Sequence, residues 1–185
     1  VTIHMFVQNN IYDHPKVHVL PIGIRNCEMI CPVHKGFNHK FLFDEKQTSV
    51  EKDILCLLCF TVSNHSNQHR IDCYNKSQKP FIKNLNVLEW EDQVSIHCGK
   101  VPVNENYRFT HRSVYALSPP GCGVACHRFW ECIYLNTIPI VLKTNTPFDR
   151  LFKQTPCLIV DSWDDITEPF LLKNKYEYQL RLNNF

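Results

Sequence analysis

Apolar runs alternate with polar segments in the middle of the chain, at spacings that predict a strand, a loop, a helix and a second strand. Residues 114–117 form a short apolar run with β-forming residues, and the run ends at two prolines. A Pro-Pro-Gly-x-Gly segment, residues 119–123, continues neither a strand nor a helix, so a turn is expected there. Phe129, Ile133 and Tyr134 then recur at helical spacing, and residues 138–142 are again apolar and β-branched. This pattern predicts a βαβ unit with a right-handed crossover.

The glycine loop of this unit is a candidate phosphate-binding site. In a βαβ unit the loop after the first strand and the N-terminus of the following helix direct backbone N–H groups and the helix dipole at an anion. His127 and Arg128 lie in the opening turns of the helix, where a bound diphosphate favours cations. Glu131, one turn further, is placed to accept hydrogen bonds from ribose hydroxyls. The alternative is a structural role for Glu131, as a capping acid with an ion pair to Arg128.

The preceding part of the chain predicts the start of the same domain. Residues 53–62 are a near-continuous apolar run and predict a buried parallel strand. A polar loop follows, and then a helix over about 68–76 that carries Arg70 near its start, as a phosphate contact or a solvated arginine. Residues 85–90 and 94–97 predict two short strands, and 104–112 a helix.

The two ends of the chain predict further short elements. Residues 3–7 and 17–22 are β-type runs, and 25–52 read as polar and irregular. Near the C-terminus we expect a helical turn at 147–151, a strand at 157–160, and an amphipathic helix over 166–181 that is broken near Pro169. Asp161, directly after the last strand, either contacts a ligand at the carboxyl edge of the sheet or caps its loop.

Composition and charge exclude several classes of protein. The chain has 185 residues, enough for one good core or a little more than one domain, and a formal net charge of +2. Lysine and arginine are scattered, which gives no indication of nucleic-acid binding. No apolar stretch reaches the length of a transmembrane helix, and residues 1–7 are no signal peptide. Since the chain opens without methionine in what reads as mid-protein, we expect a fragment or a processed form.

Ten cysteines are many for this length, yet their spacing does not predict a metal site. Cys56 and Cys59 form a CxxC pair, but they lie in the apolar run and read as small hydrophobic residues. Cys27, Cys31 and His34 are the best other candidates, without a clean second pair. Disulfides stay open for an oxidising compartment, which the sequons at Asn64 and Asn75 would also fit.

The amino-acid sequence of the central segment resembles that of a known protein family. Ser-Pro-Pro-Gly-x-Gly-x-x-x-His-Arg-x-Trp-Glu, residues 118–131, followed by Ile-Pro-Ile-Val, resembles the donor-binding half of exostosin-like glycosyltransferases. Residues 8–24, with Gln-Asn, His-Pro-Lys and Pro-Ile-Gly, and residues 158–167, with Leu-Ile-Val-Asp-Ser-Trp and Ile-Thr, are similar to flanking segments of that family. The four segments occur in the family's order over most of the chain.

The resemblance implies an α/β fold of the two-domain GT-B type. Residues 1–52 would be a remnant of the N-terminal domain with a crossover linker, and residues 53–185 a Rossmann-like domain that binds the nucleotide sugar. The implied activity is transfer of a sugar from a nucleotide sugar, most simply a UDP-sugar, to a hydroxyl of a glycan, glycoprotein or other glycoconjugate. No cofactor or metal is implied.

The resemblance also assigns site residues. Arg128 and His127, with the loop N–H groups, would stabilise the departing diphosphate. The set expected to bind the donor consists of Ser118, Gly121, Gly123, Arg128, Glu131, Arg70 and Asp161. Exostosin relatives act in the Golgi lumen, and similar sequences also occur in proteins without a membrane anchor, so the compartment stays open.

Four departures from the family pattern raise an alternative function. The family's loop Asn and Asp are Cys122 and Ala125 here, its Gly before Ile-Pro-Ile-Val is Asn136, and the second Asp of its Asp-Asp-Trp is Ser162. Two polar side chains are thus absent from the donor loop. The alternative is an inactive glycosyltransferase-like module that binds a protein partner or serves as a structural subunit. A dinucleotide enzyme is disfavoured, because Gly121-x-Gly123 lacks the third glycine of that fingerprint.

Overall fold

The computed structural model describes residues 3–24, 39–62, 68–87, 97–98, 101–121 and 123–185. Within them, helices alternate with the strands of a parallel sheet. The strands are β1 (Met5–Val7), β2 (Val17–Val19), β3 (Ile54–Leu58), β4 (Ile82–Asn84), β5 (His97–Cys98), β6 (Val101–Pro102), β7 (Ser113–Leu117), β8 (Ile138–Leu142) and β9 (Leu158–Val160). The helices are α1 (His39–Gln47), α2 (Gln68–Lys76), α3 (Val103–His111), α4 (His127–Tyr134), α5 (Phe148–Gln154) and α6 (Glu168–Asn183).

Five of these strands form an all-parallel, Rossmann-like sheet in the order β4-β3-β7-β8-β9. Counted along the chain within this sheet, the order is 2-1-3-4-5, a doubly wound arrangement. The order reverses between β3 and β7, because the chain runs outward from β3 to β4 and then crosses back to β7. Ligands of open α/β sheets bind at such a reversal, outside the carboxyl ends of the strands.

Both faces of the sheet are covered by helices, and the strand register explains which side chains each face buries. Cys56, Tyr115 and Ile138 are aligned across β3, β7 and β8, and they share one apolar cluster with Leu171 of α6. Their chain neighbours Leu57 and Ala116 point to the opposite face and pack with Cys132 of α4. Burial on both faces is why the strands read as continuous apolar runs rather than alternating ones.

Most of the secondary structure predicted for the main sheet is confirmed. The strand–loop–helix–strand unit is present as β7, α4 and β8, and α2 covers the predicted residues 68–76. The predicted helix at 104–112 corresponds to α3, and the last predicted strand to β9. Cys56 and Cys59 are fully buried, as expected of small hydrophobic residues.

Three local predictions are wrong, and the helical turn predicted at 147–151 is present but longer than predicted. Residues 39–47 of the supposedly irregular segment form α1, whose Leu42 packs on α3 beside Tyr107. Of the strand predicted at 85–90, residues 85–87 form a 3-10 turn, and a strand lies at 82–84 instead. Residues 88–90, and all of the strand predicted at 94–97 except residue 97 in β5, lie outside the described residues. The helical turn expected at 147–151 extends to Gln154 as α5. Pro169 does not break the last helix, because it occupies the first turn of α6, after the Thr167 cap, where no backbone N–H is required.

The edge of the sheet where the strands begin is held by one lysine, just before β3. Lys52 Nζ donates to the carbonyl oxygens of His111 (2.5 Å), Ser113 (3.0 Å) and Leu135 (3.4 Å), and it lies 3.1 Å from Thr137 Oγ1. Desolvation lowers the pKa of Lys52 to about 7, while the four surrounding oxygens favour the charged ammonium. This clasp joins the last turn of α3, the end of α4 and the starts of β7 and β8.

A second, smaller sheet precedes the main one. It contains β1 and β2, which pair in parallel with Met5 opposite Val17. Met5 and Phe6 are more than half exposed. In the part of the chain that the structure describes, the search for a helix with the length and apolarity of a membrane span finds none.

Candidate functional site

The reversal of strand order places the predicted glycine loop at the switch point of the sheet. The loop after β7 begins at Ser118, which is buried and whose N–H donates to the carbonyl oxygen of Ile140 (2.9 Å). The loop after β3 begins at residue 59, on the neighbouring strand. Part of that second loop, residues 63–67, and Cys122 lie outside the described residues.

The glycine loop is folded on itself by a short hydrogen bond and packed against an arginine. The N–H of Gly121 donates to the carbonyl oxygen of Gly123 (3.0 Å), so this amide is engaged within the loop. A Cβ atom at Gly121 would lie 2.9 Å from the Arg70 guanidinium. Glycine at this position therefore permits the close approach of α2 to the loop.

Arg70 braces the switch point. Its Nε donates to the carbonyl oxygen of Pro120 (3.0 Å) and its Nη1 to that of Thr61 (3.2 Å). These two carbonyls follow β7 and β3, so one side chain links the two loops between which the strand order reverses. The sequence predicted Arg70 as a phosphate contact or a solvated arginine; its contacts here, to backbone carbonyls, are those of a positioning residue.

The helix after the loop brings together two other predicted residues, on its side facing α3. Arg128 is 8% exposed, and its Nη2 donates to Oδ1 of the buried Asn106 (3.4 Å). Glu131 Oε1 accepts a hydrogen bond from the Tyr107 hydroxyl (3.3 Å). In this conformation a guanidinium with so little exposed surface offers a ligand mainly its electrostatic field.

His127, the first residue of α4, connects the loop to the N-terminal segment. Its Nδ1 lies 2.9 Å from the carbonyl oxygen of Gly23 and therefore carries the proton of that hydrogen bond. On the other side of the loop, a Cβ atom at Gly123 would lie 2.1 Å from Asn9 Oδ1. Asn9 has a positive φ of 55°, which asparagine tolerates better than most residues. The N-terminal segment thus rests on the loop at two points.

Asp161 lies apart from these residues. It follows β9, two strands from β7, which corresponds to about 10 Å across the sheet. Its side chain is 82% exposed, and its Oδ1 lies 3.4 Å from Lys143 Nζ. The alternative prediction was that Asp161 caps its loop. The cap of the following 3-10 turn is instead formed by its neighbours Ser162 and Asp165, as a capping box.

A cavity of about 430 Å³ opens between the glycine loop, the loop after β8 and the N-terminal segment. Of the predicted site residues, Gly121 and Gly123 line it. The remaining described lining residues are Asn9, Ile11, His69, Pro120, Val124, Leu142, Lys143, Thr144 and Thr146. The sequence analysis missed most of these residues. Residues 143–146 follow a predicted strand at the carboxyl edge of the sheet, so the argument that was applied to the glycine loop would also have found them.

The buried thiols are structural. Desolvation raises the pKa of Cys132 to about 12 and that of Cys157 to about 11, so both stay protonated at neutral pH. Among the described residues, no group of three or more His, Cys, Asp or Glu side chains could hold a metal ion. The candidate zinc ligands Cys27, Cys31 and His34 lie outside them.

Comparison with protein-family models and with curated proteins finds no match to this chain.

Proposed function

We propose that this protein binds a nucleotide sugar, most simply a UDP-sugar, at the carboxyl edge of its parallel sheet and transfers the sugar to a hydroxyl of a glycan or glycoconjugate. The proposed reaction rests on the sequence of residues 118–131, which resembles that of exostosin-like glycosyltransferases. In the same proposal, residues 53–185 are the donor-binding half of a GT-B architecture, and the N-terminal segment belongs to the facing domain.

The observation that carries the proposal is the position of the cavity. One wall consists of loops at the carboxyl ends of β7 and β8, and the other contains Asn9 and Ile11 of the N-terminal segment. A transferase has to bring two substrates together and exclude water between them. A cavity at the switch point with walls from two parts of the chain meets this requirement.

The mechanism rests on the charge that develops during transfer. The sugar passes through an oxocarbenium-like state while negative charge accumulates on the departing diphosphate. The N-terminus of α4 and the positive charge of Arg128 lie below the loop that would hold this group and would stabilise it electrostatically. His127, at the end of the glycine loop, holds that loop in place through its hydrogen bond to the Gly23 carbonyl oxygen. No metal is required in this scheme.

A second candidate function is an inactive relative that binds without turnover. Ala125, where the family pattern has an aspartate, is 4% exposed and packs in an apolar cluster with Phe129 and Val141. This loop position has become part of the core, so it supplies no polar group to a ligand. Glu131, the predicted ribose ligand, is bonded to Tyr107.

Calorimetric titration with UDP and UDP-sugars tests the proposal, with ADP as a specificity control. We expect micromolar binding of UDP and release of UDP when a UDP-sugar is incubated with an acceptor glycan. Arg128→Ala should weaken binding more than Asn106→Ala. Both variants remove the hydrogen bond between Arg128 and Asn106, but only the first removes the positive charge.

The outcomes separate the two candidates. Binding with turnover supports the transferase, and binding of intact UDP-sugars with no turnover on any acceptor supports the inactive module. A folded protein that binds no uridine nucleotide contradicts the nucleotide-sugar site altogether. Equal losses in the two variants would restrict Arg128 to positioning α4.

A further inference from the structure

The cavity at the switch point has the lining of an anion site. Lys143, the first residue after β8, and His69, in the first turn of α2, both line it. Thr144 and Thr146 also line it, with hydroxyl groups that hydrogen-bond to each other (2.7 Å), and Asn9 adds a carboxamide. Among the described residues that line the cavity there is no aspartate or glutamate. Donors and positive charge, without an opposing carboxylate in the wall, favour a negatively charged ligand.

The loop that carries Lys143 is held in place by an acid outside the cavity wall. Asp149 Oδ1 accepts hydrogen bonds from the Thr144 N–H (2.9 Å) and hydroxyl (2.8 Å), and its Oδ2 accepts one from the Asn145 N–H (2.7 Å). The Asp149 carboxylate is therefore used by the loop itself. The loop is fixed before any ligand arrives, which lowers the entropic cost of binding.

Lys143 is far more accessible than the arginine that the sequence favoured. Its side chain is 51% exposed, whereas Arg128 is 8% exposed. The partner of Lys143 in the structure is Asp161, at 3.4 Å and itself 82% exposed. An exposed ion pair of this kind contributes at most about 1 kcal/mol, so an anion with several charges in the cavity can displace it.

We infer that Lys143, together with His69, makes the direct contacts with the diphosphate of the donor, and that Asp161 competes with this ligand for Lys143. The inference rests on the proposed function for the identity of the ligand, but the anion site itself does not depend on the nucleotide. The effect on ligand affinity inferred here for Asp161 is opposite to the one predicted from the sequence. As a donor-binding residue Asp161 would strengthen binding, whereas as a competitor it weakens binding.

Inorganic pyrophosphate and UDP, titrated separately into the full chain by calorimetry, test the inference. Lys143→Ala should weaken pyrophosphate and UDP binding about tenfold, the usual loss of a charge-assisted hydrogen bond. Asp161→Asn should strengthen both about two- to fivefold by freeing Lys143. Lys153→Ala, an exposed lysine on α5, is the matched control for net charge and should change neither.

Each result has a distinct meaning. Pyrophosphate binding that depends on Lys143, without preference for UDP, supports the anion site and contradicts the nucleotide-sugar function. UDP binding that is insensitive to Lys143→Ala but lost in Arg128→Ala overturns the inference and leaves the function standing. A weaker affinity in Asp161→Asn restores Asp161 as a donor ligand and also overturns it. If neither probe binds, both proposals fail.

Discussion

Where the strands of the sheet begin, main-chain oxygens from α3, α4 and β7 converge on the single amine of Lys52. Where the strands end, the loops are held from outside by the N-terminal segment, through Asn9 and His127, and they enclose a cavity. At the first edge, the polar groups hydrogen-bond to one another. At the second edge, lysine and histidine side chains line the cavity, so the contacts that hold the sheet together and the cavity lie at opposite ends of the same strands.

The largest effect expected from this comparison is at the first edge. Lys52→Met should lower the free energy of unfolding by about 3 kcal/mol, because the carbonyl oxygens around Nζ lose their donor in a buried site. Urea unfolding measures this. Lys46→Met is the control, since exposed Lys46 donates to Asn136 (2.7 Å), and it should cost less than about 1 kcal/mol. Equal effects in the two variants would remove the distinction between the clasp and an ordinary surface contact.

At the second edge, Gly123→Ala should detach the N-terminal segment. The new Cβ would occupy the position of the Asn9 carboxamide, and overpacking of this kind costs about 1–3 kcal/mol. Hydrogen exchange should show lost protection over residues 3–24, with the sheet unchanged. Gly121→Ala is the matched variant and should have a smaller effect, because its Cβ would lie 2.9 Å from the Arg70 guanidinium, a much smaller overlap than the 2.1 Å to Asn9 Oδ1 at Gly123. Unchanged exchange in Gly123→Ala would contradict this view of the loop.

Asn136, just after α4, offers a smaller test that isolates the backbone. Its φ is 56°, a left-handed conformation that costs most residues about 1–2 kcal/mol. Asn136→Ala should be destabilising by about 1 kcal/mol, and Asn136→Gly should be close to neutral. Both lose the hydrogen bond from Lys46, so their difference in thermal unfolding reports the conformation alone. Equal losses would assign the effect to that hydrogen bond.

The smallest effect is a dependence of stability on pH. Because the pKa of Lys52 is about 7 in the folded chain and 10.5 in the unfolded chain, the unfolded state holds a proton that the folded state releases. The free energy of unfolding should therefore rise between about pH 7 and 8, by less than about 1.4 kcal/mol per pH unit. Above this range the buried thiols reverse the trend, since they ionise only on unfolding. Lys52→Met should have the flatter profile, and an identical slope would contradict a neutral amine.

The sequence predicted the parts of the domain in which local signals and burial agree. Strand β7, helix α4 and strand β8 each combine an apolar run with a clear terminator, and Pro119 and Pro120 fix where the first one ends. The same unit predicted that the glycine loop lies at the carboxyl end of its first strand, whereas the position of the loop at the switch point depends on the pairing of β7 with β3. The loop prediction did not extend to Lys143, although this residue follows the second predicted strand of the same unit and lies at the same edge of the sheet.

What was missed depends on contacts distant in the sequence. Of residues 41–47 of helix α1, whose burial the structure describes, Leu42 is the one that is fully buried. Its partner Tyr107 lies more than sixty residues away in the sequence, so the helix has no periodic apolar pattern from which it could be predicted. Strand β4 is defined by its parallel pairing with β3, with Ile82 opposite Cys56, rather than by the more apolar residues after it. The direction of the Arg128 side chain depends on Asn106 in another helix. A single sequence carries no local signal for any of these.

Two positions at which the chain departs from the pattern it resembles have a conformational explanation. At Asn136, where that pattern has a glycine, the positive φ is one that asparagine adopts more easily than other residues with a side chain. At Ser162, where that pattern has an aspartate, the hydroxyl caps the 3-10 turn by accepting from the Asp164 N–H (3.2 Å).

The order of strands in the sheet also affects how the chain is made. Strand β3 is the first strand of the five-stranded sheet to be synthesised, yet it lies between β4 and β7, and Ser113 comes 55 positions after Leu58. At ribosomal rates of about 5–20 residues per second, its second neighbour emerges about 3–11 seconds after it. During that interval one edge of an apolar strand is open to pairing with other chains. Nascent chains are therefore most exposed to aggregation, and most dependent on chaperones, between the synthesis of β3 and that of β7.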